Sequence, residues 1–288
     1  MPSGYALERT HGQEKVIIYA ADLYLLAKWK YDLTISDEVQ RSAIFDKWLE
    51  IGLQGRMPYL KRLEKMSKAQ EDITKDEKDF LAGVRDPSDR KKISYTRLVR
   101  TFYGDGSENN LSELILEAEY DGIIFDNIAL YDAGSDDGLQ SLHGILTRIP
   151  QIVEGTTVFA RRRDNRMREA LEKAIDKDGD EIDFEMAHQA ARWTHVLIYD
   201  KEANDGPGNV LVVYIDDRGR VLRYSRLEGT EDLWAADGMF LSGQDFMRAW
   251  WENGRYGEDW KPEQLVKRWE EAEFETSEDS ASESAISE

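Results

Sequence analysis

The stretch "EYDGIIFDNIALYDAG", Glu119 to Gly134, decides how the whole chain is read. Its segment "DGIIFDN" (121–127) is apolar without alternation, the pattern of a central strand covered on both faces. Working outward, "TRLVRTFY" (96–103) reads as a strand, "NNLSELILEAE" (109–119) as a helix, "SDDGLQSLHGILTRI" (135–149) as a helix and "TTVFARR" (156–162) as a strand. That order is β-α-β-α-β, which predicts a parallel sheet with right-handed crossovers. Beyond two further helices, "THVLIYD", "NVLVVYIDD" and "RVLRYSR" predict three more strands, the last two joined by the Gly-containing hairpin turn "DDRGR". The expected fold class is α/β: a parallel β-α-β-α-β core extended by antiparallel strands, with a helical N-terminal portion and C-terminal helices.

The first 91 residues read as mostly helical. "AADLYLLAKWKYDL" and "SDEVQRSAIFDKWLEIG" space their apolar residues by three and four, Ser36 stands as an N-cap, and Gly52 with Gly55 is expected to end the second helix. "PYLKRLEKMSKAQ" predicts a third helix, and Thr74 with Glu77 predicts a capping box for a short fourth one. The polar turn "RDPSDRKK" (85–92) is the expected boundary, followed by an α/β domain over 92–274 and a disordered, Ser- and Glu-rich acidic tail over 275–288.

Composition narrows the function classes. The net charge of −20 argues against nucleic acid, whose phosphates recruit Lys and Arg. With no Cys, disulfides, thiolate catalysis and Cys-based zinc sites are excluded, and a reducing cytoplasm suits the chain. No apolar run is long enough to span a bilayer, and the first residues lack the basic start and apolar region of a secretory signal, so no membrane partner is expected.

Ligands of open α/β sheets bind outside the carboxyl ends of the strands. Three strand ends are expected there: "YGDGS" (103–107), the pair Asp126 and Asn127, and "ARRRDNR" (160–166). Asp105, Asn127, Arg161 and Arg162 would hold a small anion, a phosphate or carboxylate, while Asp126 would orient a hydroxyl or serve as a base. The plainer reading carries more weight: loop-shaping glycines, a capping Asp and solvated arginines. No phosphate fingerprint of the G-x-x-x-x-G-K-[ST] or G-x-G-x-x-G kind is present, and no cofactor is indicated. "IDKDGDEIDFEMA" (175–187) resembles a calcium-binding EF-hand loop, with Asp176, Asp178 and Asp180 at the first, third and fifth positions. Glu181 stands where that motif needs Gly and Ala187 where it needs Glu, so an acidic turn between helices is the better reading. No two histidines have metal-ligand spacing, and Ser242 in "LSGQD" reads as a helix cap rather than a nucleophile.

Residues 195–260 resemble an uncharacterised domain family of microbes and fungi. The resemblance is carried by "VLIYDKEA", "NVLVVYIDDRGRVLRYSR" and "DLWAADGMFLSGQDFMRAWWENGRYG", with "TRLVRTF" as a match for the family's opening strand. No activity is assigned to that family, so the resemblance implies a fold and no chemistry. The functional expectation is a non-catalytic interaction or regulatory protein with a protein partner; the alternative is an enzyme or sensor for a small anionic ligand.

Overall fold

The computed structural model describes residues 7–11, 14–31, 34–69, 71–84, 96–120, 128–132, 142–154, 191–206, 209–227, 229 and 254–258. It opens on an antiparallel hairpin, β1 (Leu7–His11) and β2 (Glu14–Ile18), where the sequence analysis expects helix. The register pairs Leu7 with Ile18 and His11 with Glu14, and in the sequence Gly12 and Gln13 stand between the two strands. Gly at the first position of such a connection favours a hairpin, a signal that the helical pattern of the next segment masks.

Four helices follow: α1 (Ala20–Lys28), α2 (Asp37–Glu50), α3 (Gly52–Ala69) and α4 (Lys75–Val84). Ser36 caps α2, its hydroxyl accepting the Val39 N–H at 3.4 Å. The capping box of α4 is present as well: the Thr74 N–H donates to Glu77 at 2.7 Å and the Glu77 N–H to the Thr74 hydroxyl at 3.2 Å. The expectation that Gly55 closes α2 is corrected. The break falls at Gly52, whose φ of +58° suits glycine, and Gly55 lies inside α3. Pro58 sits in α3 beyond its first turn rather than starting it.

The second half forms a mixed sheet in the order β4-β3-β5-β6-β7-β8, from β3 (Thr96–Arg100), β4 (Ile128–Asp132), β5 (Thr194–Tyr199), β6 (Leu211–Ile215), β7 (Val221–Arg226) and β8 (Arg255–Tyr256). β3 runs parallel to β4 and to β5; the remaining pairs are antiparallel. Helix α5 (Ser107–Tyr120) links β3 to β4, α6 (Leu142–Arg148) and a 3-10 turn (Pro150–Val153) follow β4, and the short α7 (Lys201–Asp205) follows β5. The described strand after α5 is 128–132, one segment later than the 121–127 expected. Residues 121–127 and 156–162, the segments expected to supply two of the three parallel strands, lie outside the described residues.

Every residue of β5 and β6 is buried, as central strands between two covered faces require. One face, with Val99, Val196, Ile198, Val213 and Ile215, shares a single apolar cluster with Leu23, Leu25, Phe45, Trp48, Leu63 and Leu81 of the helices. At its centre the Trp48 ring lies 5.2 Å from Tyr24 and 6.0 Å from Tyr59. The hairpin turn between β6 and β7 ties the two halves further. The Leu53 N–H, at the start of α3, donates to Asp217 at 2.7 Å, and a Cβ on Gly52 would stand 2.8 Å from the same carboxylate.

Candidate functional site

The carboxyl ends of the parallel strands are the first place to look, and the register puts Arg100, Asp132 and Tyr199 in one row there. Arg100 is committed to its neighbours. Its Nη1 forms an ion pair with Glu108, Nη2 donates to the Ser107 hydroxyl at 2.8 Å, Nε donates to the Phe102 carbonyl at 3.1 Å, and the guanidinium lies 4.7 Å over the Tyr103 ring. The turn that follows is shaped by Gly104 and Gly106. A Cβ on Gly104 would come within 2.2 Å of the Phe102 ring, and Gly106 has a φ of +77°. Asp105 is exposed on this turn, at the entrance to α5.

The end of β5 is equally closed. Asp200 caps α7 through the Ala203 N–H at 3.1 Å and takes both Nη groups of Arg226, at 2.7 and 2.5 Å. Arg226 also meets Glu202 at 3.1 Å and the Asn209 carbonyl at 2.9 Å. The Tyr199 hydroxyl donates to Asn204 at 3.1 Å, and the Asn110 amide bridges α5 to the same Asn204. Burial pushes the Tyr199 phenol up from its ordinary value. Chemically, this surface is a set of mutual neutralisations around two strand ends.

Of the expected site residues, Asp105 alone falls in the described part of the fold. Asp126 and Asn127 precede the first residue of β4, whose carboxyl end is Asp132, and they lie outside the described residues, as do Arg161, Arg162, Asp176, Asp178 and Asp180. No group of three metal-ligating side chains occurs among the described residues, and no helix among them is long and apolar enough to cross a membrane. His143 meets Asp46 at 2.9 Å on the surface, and His195 is buried in β5. A groove of about 390 Å³ beside α3 and α4 mixes Arg62 and Lys65 with Asp72 and Glu77. Both acids are already engaged, Asp72 with Lys78 and Glu77 in the α4 cap.

A second group of ionisable residues, which the sequence analysis does not single out, is buried where α1, α2, α3 and the 150–154 segment meet. Arg56 is fully buried and donates to the carbonyls of Trp48 at 2.8 Å, Val153 at 3.1 Å and Leu49 at 3.3 Å, with its guanidinium 5.1 Å from the Trp48 ring. Burial pulls it down to about 10, so it remains a cation at neutral pH. Glu154 keeps some exposure as a residue, yet its Oε2 is out of contact with solvent and has no hydrogen-bond partner. Burial first, and the Asp22 carboxylate second, push Glu154 up to about 8. In the β6–β7 turn, burial and the adjacent Asp217 raise Asp216 against the pull of Arg220, which it meets at 2.7 Å.

The third feature is apolar. Tyr31, Ile35 and Val39 are 80%, 46% and 56% exposed at the α1–α2 corner. Beside Tyr31 the Phe80 ring of α4 lies at 5.7 Å, and Phe80 in turn lies 4.9 Å from Trp29. In the sequence these residues read as ordinary members of helical apolar stripes; Leu116 and Tyr256 are exposed elsewhere on the described fold.

No family model, curated protein or solved structure matches the chain.

Proposed function

We propose that this protein acts by docking another protein rather than by turning over a substrate, and that the α1–α2 corner is the contact surface. The observation that carries the reading is the outward placement of Tyr31 against the Trp29–Phe80 pair, with Ile35 and Val39 exposed on the segment that follows in the chain. Apolar area in water is unfavourable by about 25 cal/mol per Å², and contiguous exposed apolar patches mark interaction sites more often than isolated ones do. Asp37 and Glu38 are exposed on the same turn as Val39, and Asp76 stands one turn before Phe80. With a net charge of −20, the chain suits a partner whose face sets basic side chains around an apolar centre. The second reading, binding of a small anion at the strand ends, rests on Arg161 and Arg162, which lie outside the described residues; the described cations there, Arg100 and Arg226, are already paired within the fold.

The test compares the full chain with a Tyr31→Ala/Val39→Ser double variant as baits in an extract of the source cells. The expected result is a set of proteins retained by the native chain and depleted at least tenfold by the variant, with both baits equally folded by circular dichroism. Equal retention by both baits would overturn the proposal.

A further inference from the structure

Glu154 reaches α1 from a distant part of the chain. Its Oε1 accepts the Ala21 N–H at 2.8 Å, and the Ala20 amide also hydrogen-bonds to this carboxyl. Both amides open the first turn of α1, ahead of the Asp22 and Leu23 N–H groups that donate to the Tyr19 carbonyl, where a helix supplies no acceptor of its own. Two charged groups face the carboxyl: Asp22 from α1 and Arg56 from α3. Asp22 accepts the Tyr19 N–H at 2.6 Å, and the hydrogen bonds of Arg56 go to carbonyls of Trp48, Leu49 and Val153. Oε2 of Glu154 is sealed without a partner, and so are Trp48 Nε1 on α2 and Gln151 Oε1 on the adjoining turn. An ionised carboxylate in this place would leave one oxygen without a donor, beside a like charge and away from water. A protonated carboxyl keeps the oxygen that accepts the α1 amides and leaves only a neutral O–H unpaired, a smaller cost than an unpaired buried charge.

We propose that Glu154 is held protonated in the folded chain and works as a proton-operated latch between α1 and the 150–154 segment, so that rising pH loosens the attachment of α1. When α1 is detached, Glu154 meets water and titrates near its ordinary 4.5; when attached, it keeps its proton up to about 8. Between those values the attached state binds more protons than the detached one. Attachment therefore weakens about tenfold per pH unit as pH rises through this window, and levels off above it.

The measurement is hydrogen exchange at the α1 amides, Ala20 and Ala21 among them, in the full chain and in Glu154→Gln between pH 5.5 and 7.5, corrected for intrinsic exchange rates. The ratio of opening constants, native over variant, should rise about 70-fold across that span. Asp22→Asn, which removes the like charge and keeps the acceptor oxygen, should move the window to lower pH. A carbon-13 titration of the Glu154 carboxyl in the native chain, with an expected midpoint near 8, tests the same point without a substitution. A flat ratio, or a carboxyl that titrates in the ordinary glutamate range, would overturn the proposal.

Discussion

The strand-end surface and the α1–α2 corner use similar resources in opposite ways. At the strand ends, Arg100, Glu108, Asp200, Glu202 and Arg226 are drawn into ion pairs, and Asn110, Tyr199 and Asn204 are linked by hydrogen bonds. At the corner, large apolar side chains face water although the same helices bury Leu23, Phe45 and Trp48 completely or nearly so. The contrast separates residues that hold the fold together from residues kept at some cost in hydration. Position at the carboxyl end of a sheet does not by itself establish function, and the described side chains there are engaged with one another.

Substitutions in the core, at the strand ends and at the corner should differ in cost, and α2 supplies both extremes in Trp48 and Val39. Trp48→Ala removes a fully buried ring packed among Tyr24, Tyr59 and Arg56, and should cost about 3–5 kcal/mol in urea unfolding. Arg226→Ala leaves Asp200 without its bidentate partner in a mostly buried place, for an expected loss of about 2 kcal/mol; Asp200→Asn should cost less, because α7 keeps its cap. Thr74→Ala opens the capping box of α4 and should cost about 1 kcal/mol. Tyr31→Ala and Val39→Ser should each stay within about 0.5 kcal/mol of the native chain, as exposed positions do. A large destabilisation from either would make the corner part of the core and remove the contrast.

Where local chemistry alone decides structure, the sequence was legible. The Ser36 cap, the Thr74–Glu77 box and the "DDRGR" turn rest on side-chain to backbone bonds within a few residues, and all three are present. Gly219 has a φ of +79° in that turn, and the strands on either side of it are β6 and β7. The β1–β2 hairpin was missed because a helical apolar pattern begins at once after it, and Gly55 was misplaced because glycine in a helix leaves the same trace as glycine at its end. The junction around Glu154 was not legible. Its members come from α1, α2, α3 and a 3-10 turn, so burial and proximity, not spacing, bring Asp22, Trp48, Arg56 and Glu154 together. Exposure of Tyr31 and Val39 likewise depends on which way the packed helices face.

Hydroxyl-radical footprinting of the full chain, free and in source-cell extract, tests the central claim most directly, because each surface carries its own tyrosine reporter. Tyr31 is 80% exposed at the corner and Tyr103 is 38% exposed at the strand ends. Extract should protect Tyr31 and leave Tyr103 as reactive as in the free chain. Protection of Tyr103 with Tyr31 unchanged would contradict it and return the functional surface to the strand ends.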